Sequence, residues 1–173
     1  MPLSANMRAA FEILQTGTPD FGSAQFQGTI AGLISMADGI AIDQVDLFYA
    51  KERPIASGAN DDIDLNGTLV GPLGTTVNLA KLVGLLIINK PKAAGLVNTT
   101  NLTIGGGTNP VVGFMGGTTP TIGPLRPGGI LLLGSSALAG LATVTPATGD
   151  ILRIANSAGA SALYQIALLG RSA

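Results

Sequence analysis

The chain has 173 residues and a net charge of −1; 46% of its residues are hydrophobic, only 11% are charged, and Cys and His are absent. Without Cys and His, the sequence excludes zinc fingers, iron–sulfur clusters, disulfides, and catalytic sites built on a Cys–His pair or a Ser–His–Asp triad. The balanced charge argues against nucleic acid as a partner, because phosphate binding needs clustered Lys and Arg.

The pattern of residues 1–55 predicts an N-terminal arm and the first strands of a domain. Strand-like segments are separated by turns rich in Gly and Pro. The alternation of the third segment slips in phase near Gln44, as a β-bulge would produce. Residues 51–54 are charged and predict a tip or a protected sheet edge. The strand-like segments are residues 7–14, which also fit a short helix, 25–35 and 40–50.

Residues 56–173 predict the core, which continues the same domain. Short strands recur about every ten residues between turns, which is typical of an all-β sandwich or a jelly-roll-like barrel. The most apolar run, residues 82–89, predicts a strand buried on both faces. It is far shorter than the roughly 20 residues of a spanning helix, so we expect no membrane partner. The other predicted strands are residues 77–80, 101–104, 111–115, 130–133, 141–144, 151–155 and 162–169.

No motif predicts a catalytic residue, a bound cofactor or a metal site. The glycines at 105–107 and 128–129 predict turns, because a phosphate-binding loop needs a Lys and a following helix. Glycosylation patterns at Asn98 and Asn101 are expected to be accidental, since the first residues lack the build of a signal peptide. The aromatic residues are scattered without basic neighbours, which predicts core or interface packing. They are Phe11, Phe21, Phe26, Phe48, Tyr49, Phe114 and Tyr164.

The acidic cluster Asp61, Asp62 and Asp64 has oxygen ligands of the kind that Ca²⁺ prefers. The EF-hand pattern is absent, so a solvated loop leading into a strand is the preferred interpretation, with an ion site as the alternative. In such a strand Asp62 and Asp64 share one face and Asp61 lies on the other. The remaining acidic pairs show no acid–base relation of the glycosidase type; they are Asp43 with Asp46, and Glu12 with Glu52.

Six segments of the chain occur in a recognisable order. They are residues 62–69 (DIDLNGTL), 73–89 (LGTTVNLAKLVGLLIIN), 101–106 (NLTIGG), 126–133 (RPGGILLL), 148–157 (TGDILRIANS) and 162–170 (ALYQIALLG). Over roughly residues 61–170 the chain thereby resembles small all-β virion structural proteins of tailed bacteriophages. The segments are not catalytic, so no site residue carries over. Residues 1–55 show no such resemblance.

The resemblance implies a non-enzymatic protein that decorates and cements a phage capsid. It would be made in the bacterial cytoplasm and act on the capsid exterior as a homo-oligomer, with a trimer favoured, that bridges subunits of the major capsid protein. A tail or fibre component or host-surface adhesin is the alternative, and a glycan hydrolase is a third hypothesis that lacks an acid–base pair.

The 19 charged residues are unevenly distributed, and 15 of them lie in residues 1–92. One interpretation is a β-domain with uncharged polar loops. The other is a surface covered by identical subunits, where desolvating charges would be costly. We therefore expect the later half to pack against neighbours, and the charged first half to meet solvent or the capsid shell.

Overall fold

A computed structural model describes residues 2–18, 20–22, 24–67 and 69–173. In this part of the chain the secondary structure is all β, without a helix. The strands are β1 (Ala5–Gly17), β2 (Ala24–Asp38), β3 (Gln44–Val45), β4 (Leu47–Ile55), β5 (Asn60–Asp64), β6 (Leu69–Val70), β7 (Thr76–Val77), β8 (Lys81–Ile88), β9 (Leu102–Gly105), β10 (Thr121–Leu125), β11 (Ile130–Gly134), β12 (Ala142–Thr143), β13 (Ile151–Asn156) and β14 (Ala162–Arg171).

Two antiparallel sheets enclose the main hydrophobic core. One has the strand order β10-β9-β13-β5, and the other has the order β11-β8-β14-β4 with β12 pairing at one end of β8. In the strands of both sheets alternate residues point inward, as in β13, where Leu152 and Ile154 are buried and Arg153 is not. None of the described sheets closes into a barrel, so the sandwich is the architecture observed.

The core is built from the inward rows of both sheets. From the five-stranded sheet it takes Tyr49, Leu85, Ile87, Tyr164, Ile166 and Leu168 among others. From the four-stranded sheet it takes Ile63, Leu102, Ile104, Leu152 and Ile154. The low charge of residues 93–173 has a local cause here, because this half of the chain supplies strands β9–β14 and the glycine-rich turns between them.

A long hairpin precedes the sandwich. Strands β1 and β2 pair without a break from Ala5 with Met36 to Gly17 with Ala24, and β3 adds a short parallel pairing at the base of β2. At about 3.3 Å per residue, the 13 residues of β1 extend roughly 40 Å. Residues 7–14 therefore form a strand and not a helix. This hairpin, Ala5–Gly17 with Ala24–Asp38, is called the arm below.

Several local predictions were wrong. Residues 40–43 form a turn before β3, with Asp43 at φ 58°, so the phase slip marks a turn and not a bulge. Residues 112–115 also turn, with the Met115 N–H donating to the Val112 carbonyl. Residues 51–54 lie within β4, an edge strand of its sheet, so the edge prediction was right and the tip prediction was not.

Arg171, the last residue of β14, is completely buried, and no carboxylate of the described ranges forms an ion pair with it. Its guanidinium donates to the carbonyls of Gln44, Ser136, Ala137 and Leu138 at 2.8–2.9 Å. The planar guanidinium has five N–H donors and can therefore bond to all four carbonyl groups at once. A lysine ammonium, with three donors, could not. The buried arginine thereby fixes the 136–138 loop and the strand at the base of the arm to the sandwich.

Candidate functional site

The arm is the part of the molecule with the most exposed apolar side chains. Phe11 is 76% exposed and its cross-strand partner Ile30 is 73% exposed. Beyond its base the arm carries no third strand among the described residues. A two-stranded ribbon is at best marginally stable alone in water, because one of its faces has nothing to pack against. The arm therefore has the properties of a segment that packs against another surface.

The two faces of the arm differ sharply in polarity. Residues paired across the strands share a face, so the register assigns every side chain. Along the paired residues, Ala5–Gly17 with Ala24–Met36, one face, called the apolar face, has no charge and a single polar side chain, Gln15. Its larger members are Met7, Phe11, Ile13, Phe26, Ile30, Ile34 and Met36. Asp38, two residues beyond the last pair, lies on the same side of β2 at the base of the arm, where its carboxylate accepts a hydrogen bond from the Leu3 N–H. The opposite face carries both charges of the arm's strand β1 together with amides and hydroxyls: Asn6, Arg8, Glu12, Thr16, Gln25, Gln27, Thr29 and Ser35, with Leu14 and Leu33 between them.

The base of the apolar face packs on the arm's own sandwich. Met36 is buried with Val45 and Val83, and Met7, Ile34 and Leu169 pack around them. Two glycines of the sheet make room for Met7: a Cβ at Gly84 would lie 2.6 Å from its Sδ, and a Cβ at Gly134 would lie 2.7 Å from its Cε. The apolar face of the arm and the outer face of the β11-β8-β14-β4 sheet thus fit each other where they meet.

That outer sheet face is itself apolar and only partly covered. The register aligns Leu132, Leu86, Ala167 and Ala50 in one row across the four strands, with Ile130 and Ile88 starting the next row and Gln165 and Glu52 ending it. Ile130 is 64% exposed, and Leu86 and Ile88 are half-buried. The prediction that both faces of residues 82–89 are buried holds for the first half of the strand, where Val83 and Gly84 lie under the arm base. Farther along the strand, at Leu86 and Ile88, the outer face is only half-buried.

A groove of about 490 Å³ lies where the arm leaves this sheet. Its walls are the arm base at Leu3–Arg8 and the outer sheet face, including Phe48, Leu86, Ile130 and Leu169. Among the residues that the structure describes, no carboxylate lines it and Arg8 is its one charged side chain. Such a lining suits an apolar side chain from a protein partner better than a polar substrate.

The acidic cluster is divided between two arginines. Asp61 accepts hydrogen bonds from Arg53 Nε and Nη2 at 2.7 and 2.6 Å and from the Tyr164 hydroxyl at 2.6 Å. Asp62 accepts two from Arg153 at 2.6 Å. The predicted alternation is confirmed, since Asp62 and Asp64 are exposed and Asp61 lies on the side of buried Ile63. Within the described ranges no group of three His, Cys, Asp or Glu side chains has the arrangement of a metal site.

The pKa values follow from these pairs. Burial alone would raise the pKa of Asp61, but the hydrogen bonds from Arg53 and Tyr164 and the guanidinium charge outweigh it and hold this pKa below its usual range. The hydrogen bonds from Arg153 likewise lower the pKa of Asp62. Burial, and then the hydrogen bond to Asp61, raise the pKa of Tyr164. Both carboxylates are thus ionised at neutral pH and serve as partners of arginine.

The other residues singled out from the sequence lie in turns, in hydrogen bonds or on the surface of the arm. Asp46 accepts hydrogen bonds from Ser172, and Glu52 accepts one from the Lys92 N–H. Asn98 is buried, so it is not an exposed glycosylation site. Its side-chain N–H groups donate to the Asn89 side chain and the Leu163 carbonyl, and its Oδ1 accepts from the Leu163 N–H. Gly128 has a positive φ and lies in a turn, as predicted. The glycines at 105–107 also have positive φ, but Gly105 is the last residue of β9 and the other two follow it. Asp43 lies in the turn before β3, Glu12 on the polar face of the arm, and Asn101 is half-buried.

Sequence reasoning missed the exposed aromatic residues of the arm. The tyrosines lie in the core and Phe114 packs against it, but Phe11, Phe21 and Phe26 are exposed on the arm or its tip. The signal was present as alternation of polar and apolar residues in 24–36, although only the pairing with β1 shows that these side chains share a face with Phe11. Most exposed large apolar residues accordingly lie in the first half of the chain and not in the charge-poor half.

Comparison of the chain with protein-family models, curated proteins and solved structures found no match. Across the described residues, no helix has the length and hydropathy needed to cross a membrane.

Proposed function

We propose that this chain is a non-enzymatic structural protein of a phage virion, which decorates the capsid as a homo-oligomer and cements neighbouring capsid subunits. The observation that carries the proposal is the arm, a ribbon of roughly 40 Å whose apolar face has no charge. Contiguous apolar surface of this kind marks a site of protein association. The reason for placing the protein in a virion is the order of the six segments within residues 61–170, which resembles that of phage virion proteins.

The physical role follows from the division into arm and sandwich. The sandwich has a continuous core, whereas the side chains of the arm beyond its base are exposed. A cement protein stabilises a shell by adding buried area at junctions between subunits, and an extended apolar ribbon adds such area at a distance from its own domain. A trimer at local three-fold positions of a hexameric lattice is the assembly that this role favours.

The test is binding to shells assembled from the major capsid protein of the same phage. We expect the chain to co-sediment with the shells at hundreds of copies per particle and to raise the temperature at which they rupture. Deleting residues 1–20 is a poor variant, because it leaves β2 unpaired. Replacing residues 10–31 by Asn-Gly is better, because Ala9 and Gly32 are cross-strand partners and a two-residue turn connects such a pair.

The shortened variant should keep its fold and lose both shell binding and the rise in rupture temperature. Wild-type protein that fails to bind shells would contradict the proposal, as would turnover of a polysaccharide. The three exposed phenylalanines of the arm and its tip favour one other candidate, a tail or fibre component, for which quantitative mass spectrometry of virions would give six or twelve copies. A sugar-binding role fits less well, since the apolar face offers only Gln15 as a hydrogen-bonding side chain.

A further inference from the structure

We infer that the apolar face of the arm packs on the outer face of the β11-β8-β14-β4 sheet of a second copy of this chain. The inference rests on the proposed oligomeric role but not on capsid binding. Two copies would exchange arms mutually, so the pair closes about a two-fold axis. This exchange predicts a dimer and not the trimer that the cement role favours.

The first argument is continuity with a contact that already exists. Within one copy, Met7 and Ile34 of the apolar face lie against Gly134 of the same sheet, with Met7 also over Gly84. The contact ends where the arm leaves the sheet, so the rest of both surfaces stays uncovered. Phe11 and Ile30 continue the arm side, and Ile130 continues the sheet side. A second arm on the free rows extends a packing mode that the chain demonstrably forms.

The second argument is the sequence of β8. A strand with apolar residues on both faces is typical of a sheet covered on both sides. Within one copy the core covers the inward residues of β8 and the arm base covers Val83, whereas Leu86 and Ile88 face outward and are half-buried. A layer that covers this face would explain why Leu86 and Ile88 are apolar. The groove of about 490 Å³ at the arm base leaves room for large side chains there.

The third argument is charge and area. Neither surface has a charged residue at its centre. The charges that border the sheet face lie at its β4 edge and are Lys51, Glu52 and Lys92, whereas Arg8 lies on the opposite face of the arm. Nine residue pairs of free arm cover a footprint of roughly 30 by 10 Å. Two exchanged arms therefore bury roughly 1,200 Å² in total, which reaches the range of stable interfaces, whereas one arm alone does not. A second copy thus satisfies the area requirement only if the exchange is mutual.

Because the chain lacks Cys, single cysteines provide a clean test. Ile30→Cys protein is mixed with Ile130→Cys protein under mild oxidation without capsid, and disulfide-linked heterodimers are measured by mass spectrometry. Mixing two single variants excludes links within one copy. Thr29→Cys is the matched control, since it neighbours Ile30 on the polar face. We expect at least tenfold more heterodimer with Ile30→Cys than with Thr29→Cys.

A second measurement does not depend on disulfide geometry. Ile30 is exposed in a single copy, so Ile30→Lys leaves the fold intact but places a charge in the exchanged interface. Sedimentation should show association at least 100-fold weaker than in the wild type, with Thr29→Lys unchanged. A monomeric wild type, equal linking by both cysteines, or links predominantly between two Ile30→Cys arms would overturn the inference. Arm exchange in solution without shell binding would instead contradict only the capsid role.

Discussion

Replacing Asp61 by Asn should destabilise the sandwich more than the same change at Asp62, although both carboxylates lie on β5 and bind an arginine. Asp61 accepts two hydrogen bonds from Arg53 and one from Tyr164, and the side chains of the ion pair are only 14% and 23% exposed. Asp62 also accepts two hydrogen bonds, but its side chain is 43% exposed. The two substitutions make the same chemical change at two levels of burial. A difference in their effect on the free energy of unfolding therefore reports the effect of burial.

The magnitude follows from what the amide cannot replace. Asparagine keeps one acceptor oxygen, so at least one hydrogen bond to a charged group is lost, at about 1.5–3 kcal/mol. The Arg53 guanidinium also keeps its charge in a mostly buried position without a counter-charge, which adds to the cost. We expect Asp61→Asn to lower the free energy of unfolding by about 2–4 kcal/mol. Asp62→Asn should cost much less, because exposed ion pairs contribute little.

The pH dependence gives an independent check with a defined sign. The pKa of Asp61 is lower in the folded state than in the unfolded chain, so its contribution is complete above about pH 4 and is lost as the pH falls through the folded value. Wild-type stability should therefore decline more steeply below pH 4 than that of Asp61→Asn, while Asp62 contributes a smaller decline in both proteins.

The assay is urea unfolding followed by far-UV circular dichroism, since the chain has no Trp. The protein concentration is kept fixed, because association shifts apparent stability. Equal losses for Asp61→Asn and Asp62→Asn at pH 7, or parallel pH profiles for the wild type and Asp61→Asn, would refute the reasoning.

Substitutions at three further positions are tested by the same unfolding assay. Arg171→Met should cost about 3–4 kcal/mol, because it leaves four carbonyls without their donor, and Arg171→Lys should restore only part of this. Asn89→Ala should cost about 2–3 kcal/mol, since the buried amide donates to two carbonyls and accepts from Asn98. Gly140→Ala should cost about 2 kcal/mol, because φ is 65° and the new Cβ would lie 2.5 Å from the Leu82 carbonyl oxygen; no loss would contradict this backbone assignment.

The fold class was predictable because its signals are local. Period-2 alternation fixes which residues of β13 and β14 face the core, and glycines at positive φ fix the turns. The alternation of Asp61 with Asp62 and Asp64 was predictable for the same reason. Residues 40–43 and 112–115 were predicted wrongly as parts of strands. The first segment alternates at Ile40 and Ile42 and the second is mostly apolar, but neither a short alternation nor apolar content alone distinguishes a strand from a turn.

The candidate site required the tertiary structure because it depends on pairing between distant segments. The sequence shows that residues 24–36 alternate, but only the register places Ile30 opposite Phe11 and collects their side chains on one uncharged face. It shows that β8 is apolar throughout, but only the sheet order leaves Leu86 facing outward beside Leu132. Local periodicity therefore determined that this protein is built of strands, whereas non-local pairing decided which strands form a closed core and which form an open apolar arm.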